Sequence, residues 1–273
     1  MAVNALLLVA VSLAWAAGYL FVGAADHGLP PLTATAAMSF VAAALMLPGT
    51  ALLRRPLLQP LRRRPWVPLV MALTAVALPN LAVVVAERSI DADLAAILGT
   101  TVPVATLLLT VFLTRETRPT AAGLLGVAVA LAGMVIFVGW RDLLSGDAEL
   151  VGILVMMAGG VVFAFNGVLV GRETADLDGT ALATWTMVFS VPVLVVLAWW
   201  FERPTADELS RVVVESLVAE GVLGLAFAYL AYYALVARAG AWFASLYAFL
   251  VPPLGVALVA LVGGERPSAE HVL

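Results

Sequence analysis

The chain has 273 residues, of which 63% are hydrophobic and 12% are charged, and its mean hydropathy is +1.08. Soluble domains carry a charge on about 25% of their residues, so this composition excludes a water-soluble globular fold. The sequence contains no cysteine, which excludes disulfide frameworks and thiolate metal sites. The net charge of −4 is less informative, because the position of each charge matters more than the sum in a membrane protein.

The apolar residues form long uninterrupted runs, and this pattern is typical of membrane-spanning helices. In lipid, helices and closed barrels satisfy every backbone hydrogen bond, whereas barrel strands would show alternation over about ten residues. The sequence predicts nine transmembrane helices, at residues 3–24, 31–53, 67–86, 94–114, 120–140, 150–171, 180–201, 217–237 and 241–262. The connections are short except at 54–66 and 202–216, so we expect no soluble domain.

A proline and glutamate pattern in the fourth predicted helix returns near the end of the chain. Pro103 precedes Glu116 by thirteen positions, and Pro252 precedes Glu265 by the same thirteen. The two copies are therefore 149 residues apart (252 minus 103). A fixed long offset of this kind indicates an internal duplication.

The placement of arginine predicts the orientation in the membrane, because basic loops remain cytoplasmic. With a cytoplasmic N-terminus, nine of the 14 arginines fall in cytoplasmic loops and five fall outside. The loop after the second helix carries five arginines and no acid, whereas the equivalent loop after the seventh carries four acids and two arginines. Equivalent loops with opposite charge bias favour two repeats that are inserted in opposite directions.

The repeated pattern resembles a known family. It comprises Pro103, Glu116, Pro119, Gly126 and Gly133 in the first copy, and Pro252, Glu265 and Ser268 in the second. Together with Trp15 in the first helix, it resembles the EamA domain of the drug/metabolite transporter superfamily. The second helix departs from the family, since it lacks the arginine that many members carry there.

This resemblance implies an all-α integral membrane fold of ten helices, built from two inverted five-helix repeats. The first EamA-like repeat would be residues 1–140 and the second, inverted one residues 150–273. Nine predicted helices are present, and the counterpart of Gly126 would be position 274. We therefore expect the tenth helix to be missing from this sequence, because a natural nine-helix protein would leave packing faces exposed to lipid.

The resemblance also implies a function. EamA proteins are secondary transporters that work by alternating access, and the cavity would lie between the repeats, lined mainly by helices one, three, four, six, eight and nine. We expect a multi-pass protein of the inner (plasma) membrane whose partners are a small-molecule solute and lipid, with no nucleic acid; a monomer would suffice. A non-transporting receptor or scaffold is the alternative. The sequence has no phosphate-binding loop, paired catalytic acids or metal-ligand spacing, so no enzyme, catalytic residue, metal or cofactor is expected.

Polar side chains predicted at membrane depth are candidates for solute binding, because they are costly in lipid unless they face a cavity or a partner. The candidates are Trp15, Asn80, Asn166, Tyr229, Tyr232, Tyr233 and Tyr247. The predicted substrate-binding set is Trp15, Asn80, Asn166, Tyr229 and Tyr233. The offset of 149 pairs Asn80 with Tyr229, which suggests a shared pocket. The alternative, that each group bonds only to a neighbouring helix, stays open.

Pro103 and Pro252 are predicted near the middle of their helices as hinges or kinks, since proline removes a backbone donor. Glu116 and Glu265 lie in short turns and are interpreted as structural caps. No ionisable residue is predicted in the middle of a span, so we expect a neutral or zwitterionic solute, with an amino acid or a similar compound as the best match. We expect facilitated movement, in the direction of export, rather than tight proton coupling.

Overall fold

The computed structural model describes residues 2–18, 29–91, 94–95, 98–114, 125–126, 128–129, 132, 147–203 and 210–263. All regular secondary structure in these ranges is helical, which confirms the all-α prediction. The helices in chain order are α1 (Ala2–Ala16), α2 (Pro31–Leu52), α3 (Gln59–Arg63), α4 (Trp66–Ala86), α5 (Thr101–Leu109), α6 (Asp147–Glu173), α7 (Gly179–Phe201), α8 (Arg211–Ser245) and α9 (Tyr247–Gly263).

Five of these helices, namely α2, α4, α6, α7 and α8, are long and apolar enough to cross a membrane. Three shorter apolar helices, Ala2–Ala16, Thr101–Leu113 and Tyr247–Leu258, overlap the predicted first, fourth and ninth spans. These eight helices overlap eight of the nine predicted spans, and five of them have the length that a membrane span requires. Most of the predicted fifth span, and both Glu116 and Glu265, lie outside the described residues.

The start of α8 corrects the prediction for the eighth span, which placed it at residue 217. The helix begins at Arg211, because the Ser210 hydroxyl caps it by accepting a hydrogen bond of 3.3 Å from the Val213 backbone N–H. Its first turns are amphipathic, with Arg211 and Glu215 paired on the exposed side at 2.6 Å. A prediction based on uninterrupted apolar runs therefore misses these first turns.

The other end of the predicted eighth span is close to a change of chain direction. Gly240 has φ 83° and ψ 159°, a conformation that residues with a side chain rarely adopt. It separates the long helix from a short helical stretch that ends at Ser245. The sequence-based boundary between the eighth and ninth spans, at residues 237–241, falls at this point.

The first helix of each half of the chain packs against helices of the other half. The first helix of the N-terminal half, α1, packs against α8 and α9. The first helix of the C-terminal half, α6, packs against α4 and α5. The buried apolar core lies between these helices and the pair formed by α2 and α7.

Helices α2 and α7 lie side by side and run in opposite directions. Near the C-terminus of α2, the hydroxyls of Thr50 and Thr184 share a hydrogen bond of 2.8 Å. At the N-terminus of α2, the Glu202 carboxylate at the end of α7 accepts hydrogen bonds from the backbone N–H groups of Leu32 (2.6 Å) and Thr33 (2.9 Å). These N–H groups have no partner within their own helix, so Glu202 satisfies them from the other half.

A charged cluster ties the α2–α4 connection to the α6–α7 connection. The Arg64 guanidinium pairs with Glu173 and, at 2.9 Å, with Asp176. The side-chain oxygen of Gln59 accepts a hydrogen bond of 2.8 Å from the Asp178 N–H, and Asp178 itself caps α7. The hydrogen bond with Glu173 raises the pKa of Arg64 above its usual range, so the guanidinium stays charged at physiological pH.

Two of the long helices contain a π-helical segment. These segments are Leu73–Ala77 in α4 and Gly221–Phe227 in α8. Shifted by 149 residues, the first segment maps onto positions 222–226, inside the second. π-helical turns loosen the regular hydrogen-bond ladder and are frequent at functional sites.

Candidate functional site

A cavity of about 230 Å³ lies between the two halves of the chain. Its walls come from α4, α5, α6 and α9, which correspond to the predicted third, fourth, sixth and ninth spans. The side chains that define its character are Pro79, Asn80, Val102, Phe163, Tyr247 and Pro252. The lining is therefore mainly apolar and aromatic, with one amide and one phenolic hydroxyl.

Gly159 in the cavity wall lets α6 approach α4 closely. A Cβ atom built on Gly159 would lie 2.6 Å from the Cβ of Ala82, which is closer than real carbon atoms approach. The absence of a side chain at this position thus determines how near the two helices come to each other. Gly159 also belongs to the lining of the cavity.

Asn80 is the predicted site residue that lines the cavity directly. Its amide nitrogen donates a hydrogen bond of 2.7 Å to the backbone oxygen of Val76 in the π segment of α4. Its amide oxygen lies 3.5 Å from the Thr35 hydroxyl, which is a weak contact. An asparagine amide has two N–H donors, so one donor and part of the acceptor capacity remain for a solute.

Trp15 lies behind the cavity wall. The centre of its ring system is 4.2 Å from that of Tyr247 and 6.1 Å from that of Phe163, and both of these rings line the cavity. Its indole N–H donates a hydrogen bond of 3.0 Å to the Gly224 oxygen in the π segment of α8. The indole therefore supports the aromatic wall and connects it to α8.

Tyr229, the predicted partner of Asn80, does not line the cavity. Like Asn80, it forms a hydrogen bond with the π segment of α4. Its side chain is buried, and its hydroxyl donates a hydrogen bond of 2.8 Å to the Ala75 oxygen. Its ring packs edge-on against Trp15 at 5.8 Å between ring centres. Tyr229 thus links α8 to α4 beside the cavity.

Asn166 and Tyr233 belong to a buried polar cluster that is also separate from the cavity lining. The Thr74 hydroxyl donates a hydrogen bond of 3.3 Å to the Asn166 side-chain oxygen, and the Tyr233 hydroxyl shares one of 3.1 Å with Thr186. The Asn166 side-chain nitrogen is buried and has no hydrogen-bond partner among the described residues. These hydrogen bonds join α4 to α6 and α7 to α8, so the Asn166 oxygen and the Tyr233 hydroxyl contribute to helix association in this conformation.

The two predicted hinge prolines occupy different places. Pro252 lies inside α9 and lines the cavity. Pro103 is in the first turn of α5 and not near the middle of a helix, which corrects the prediction. A turn at Gly99 and Thr100 precedes it, and the Gly99 oxygen accepts from the Val102 N–H at 3.1 Å because Pro103 has no N–H to offer.

Sequence reasoning did not select two aromatic residues of the cavity wall. Tyr247 was among the polar candidates but outside the predicted site, although its position five residues before Pro252 could have indicated it. Phe163 carries no polar atom, so nothing in the sequence distinguishes it from an ordinary core residue.

An ionisable side chain lies inside α8 near the start of the predicted eighth span, 217–237, and so outside the mid-span region where the sequence predicted none. With the helix beginning at Arg211, Glu220 is its tenth residue and directly precedes the π segment. One of its carboxyl oxygens, Oε2, is buried and has no hydrogen-bond partner in the described part of the chain. The prediction treated this position as the end of a span.

A bundle of apolar helices with a cavity between its two halves is typical of membrane transport proteins. The sequence model of the EamA-like transporter family matches residues 3–139 and 150–273. The chain belongs to the EamA-like transporter family, and it is a multi-pass membrane transporter and not an enzyme.

Two curated proteins are similar over nearly the whole chain. Protein PagO of Salmonella typhimurium is 24% identical over 271 residues, which cover 98% of this chain and 88% of PagO. YedA of Escherichia coli (strain K12), described as an uncharacterized inner membrane transporter, is 29% identical over 267 residues, or 96% of this chain and 83% of YedA. A protein of known crystal structure shares the fold with a TM-score of 0.78 at 18% identity, covering 98% of this chain and 91% of that one.

Proposed function

We propose that this protein is a secondary transporter that moves a small neutral or zwitterionic solute by alternating access, with an amino acid or a similar compound as the best match. The observation that carries the proposal is the cavity between the two halves, lined by Asn80, Phe163 and Tyr247. A volume of about 230 Å³ lies below the roughly 300 to 1,000 Å³ of sites for drug-sized ligands, so a small metabolite fits best.

The chemistry of the wall favours a solute with a polar head and an apolar body. Asn80 offers an amide donor and acceptor, and Tyr247 adds a hydroxyl at the tip of an apolar ring. Phe163 supplies an apolar face. None of the described residues that line the cavity carries a charge at neutral pH, which favours a neutral or zwitterionic solute over an ion.

Three features of the packing support two inverted repeats, on which alternating access would depend. Helices α2 and α7, which hold equivalent places in the two halves, are antiparallel, as inverted repeats require. Helices α1 and α6 each pack against the third and fourth spans of the opposite half. The π segments of α4 and α8 occupy equivalent positions.

The proposal includes an orientation of the protein in the membrane and a direction of solute transport. The arginine-rich connection that holds Arg64 would face the cytoplasm, and the end of α2 capped by Glu202 would face outside. Location in the inner membrane agrees with the name of the relative YedA. Export is the proposed direction, for which the high cytoplasmic concentration of many metabolites would provide the driving force.

The test is solute exchange in vesicles that contain the purified protein. Vesicles loaded with unlabelled L-leucine, L-phenylalanine or L-threonine receive the same amino acid in radiolabelled form outside. We expect saturable entry of at least one label, absent from protein-free vesicles. Saturable binding without entry would favour the receptor alternative, and no interaction with any of the three would contradict the solute class.

A matched pair of variants connects the exchange to the cavity. Phe163 lines the cavity and is 8% exposed, whereas Phe165 on the same helix is 38% exposed. Phe163→Trp fills part of the cavity and should reduce exchange strongly. Phe165→Trp adds the same atoms outside the cavity and should leave exchange near the wild-type rate.

A further inference from the structure

The carboxyl group of Glu220 occupies a site that is built around it. A Cβ atom placed on Gly224, one turn further along α8, would collide with the carboxyl oxygen Oε1. A Cβ atom placed on Gly18, just after α1, would lie 3.1 Å from the same oxygen. The two glycines therefore leave the space that this side chain fills.

No counter-charge faces this carboxyl group from the described residues. Helices α1, α2 and α7, which all contact the adjoining π segment, contain no ionisable side chain within their bounds. Glu202, which follows α7, is bound to the N-terminus of α2. On α8 itself, Arg211 and Glu215 are exposed and pair with each other.

A buried carboxylate with neither a cationic partner nor a full set of hydrogen bonds is costly, and uptake of a proton removes the charge. Ionisable groups that persist within membrane spans often take part in proton relays or substrate pathways. Glu220 is half-buried, and its Oε2 atom, buried and unpartnered near the contact of α8 with Gly18, makes it a candidate for such a role.

A short chain of contacts connects this site to the cavity. The Gly224 oxygen, one turn from Glu220, accepts the hydrogen bond of the Trp15 indole. The Trp15 ring in turn packs against Tyr247 and Phe163 in the cavity wall. A change in the π segment when Glu220 gains or loses its charge would therefore reach the solute through Trp15.

We infer that Glu220 is a proton-binding site that couples solute movement to the movement of a proton. The carboxyl group holds a proton in the conformation described and releases it in the conformation that exposes this site to water. This inference rests on the proposed transport function for its coupling role, and it replaces the expectation of purely facilitated movement. The proton-binding step itself requires no assumption about the solute.

The proton-binding step can be tested without a solute. Dicyclohexylcarbodiimide modifies protonated carboxyl groups in apolar surroundings, and mass spectrometry of peptides locates the modification. In the full-length protein in vesicles, we expect labelling of Glu220 that falls as the pH rises, with no labelling of exposed Glu215. Absence of Glu220 labelling at every pH would overturn the proton site.

The coupling step compares Glu220→Gln with the matched control Glu215→Gln. Labelled L-phenylalanine, or another of the three amino acids if that is the one exchanged, is offered with and without a pH gradient across the vesicle. We expect the pH gradient to drive accumulation of the label by the wild type and by Glu215→Gln. In Glu220→Gln we expect this accumulation to be lost, while exchange without a gradient continues. Equal accumulation by Glu220→Gln and the wild type would overturn the coupling role. Absence of exchange by the wild type would instead contradict the solute class, and the labelling result would still decide the proton site.

Discussion

The polar side chains beside the cavity divide into two groups according to what satisfies them. The hydroxyl of Tyr229 and the side-chain oxygen of Asn166 are hydrogen-bonded to other helices, whereas Asn80 and Tyr247 line the cavity. The first group stabilises the assembly of helices, and the second group can contact a solute. This division predicts different consequences for similar substitutions.

Asn80→Ala should weaken the apparent affinity for the exchanged solute by up to about tenfold, because a lost hydrogen bond costs about 0.5 to 1.5 kcal/mol. Exchange assays in vesicles measure this as a higher half-saturating concentration. Asn4→Ala, at the start of α1 and remote from the cavity lining, is the control and should leave the affinity unchanged. Equal affinities for Asn80→Ala and the wild type would remove Asn80 from the site.

Tyr229→Phe and Tyr247→Phe remove the same hydroxyl from two different environments. Tyr229→Phe leaves the Ala75 oxygen without its interhelical donor and should lower stability by about 0.6 to 1.7 kcal/mol, measured by thermal unfolding in detergent. Tyr247→Phe should change solute affinity more than stability. A loss of stability in Tyr247→Phe together with a loss of solute affinity in Tyr229→Phe would contradict these two assignments.

Hydropathy predicted the long helices well, because their apolar runs are what the membrane requires. The predicted second span, 31–53, differs by one residue from α2, Pro31–Leu52. The first turns of α8 were missed since their charged side chains face away from the bundle. The π segments were not predicted, because no local residue pattern specifies a π-helical turn. The positions of Tyr229 and Trp15 relative to the cavity depend on how each helix is rotated, which a sequence period fixes only roughly.

The contact between α4 and α6 depends on a small residue. Gly159→Ala would press a methyl group against Ala82, so the helices must separate or repack, at a cost of about 1 to 3 kcal/mol. Gly49→Ala in α2 is the control, since no atom lies within 4 Å of the added Cβ. Thermal unfolding should show a loss for Gly159→Ala and almost no change for Gly49→Ala. Similar unfolding temperatures for the two variants would contradict the close packing.

The charge bias of equivalent loops predicts where the connections lie relative to the membrane. Reporter fusions after Arg64 should be cytoplasmic, and fusions after Glu208 should be extracytoplasmic, because the first loop is arginine-rich and the second is acidic. Alkaline phosphatase and fluorescent-protein fusions distinguish the two locations. If both loops were on the same side, the inverted repeat would be wrong, and with it the basis for alternating access.

The antiparallel α2–α7 pair is closed by polar groups at both ends, by Glu202 at one and by the Arg64 cluster at the other. The proposed alternating access requires the barriers on the two sides of the cavity to open at different times, so that the cavity faces one side of the membrane in each state. A static cavity that always faced the same side would instead suit a receptor. The two functions therefore differ in the accessibility of the cavity wall.

The most direct measurement is the accessibility of a single cysteine at Val83, a half-buried residue of the cavity lining. The chain has no native cysteine, so Val83→Cys needs no other substitution, and buried Val11→Cys in α1 is the control. Transport by alternating access predicts that a membrane-impermeant thiol reagent labels Val83→Cys from either side of the membrane. Saturating solute should change the ratio of the labelling rates from the two sides. Val11→Cys should not be labelled. Labelling of Val83→Cys from one side alone, whatever the solute concentration, would contradict the account.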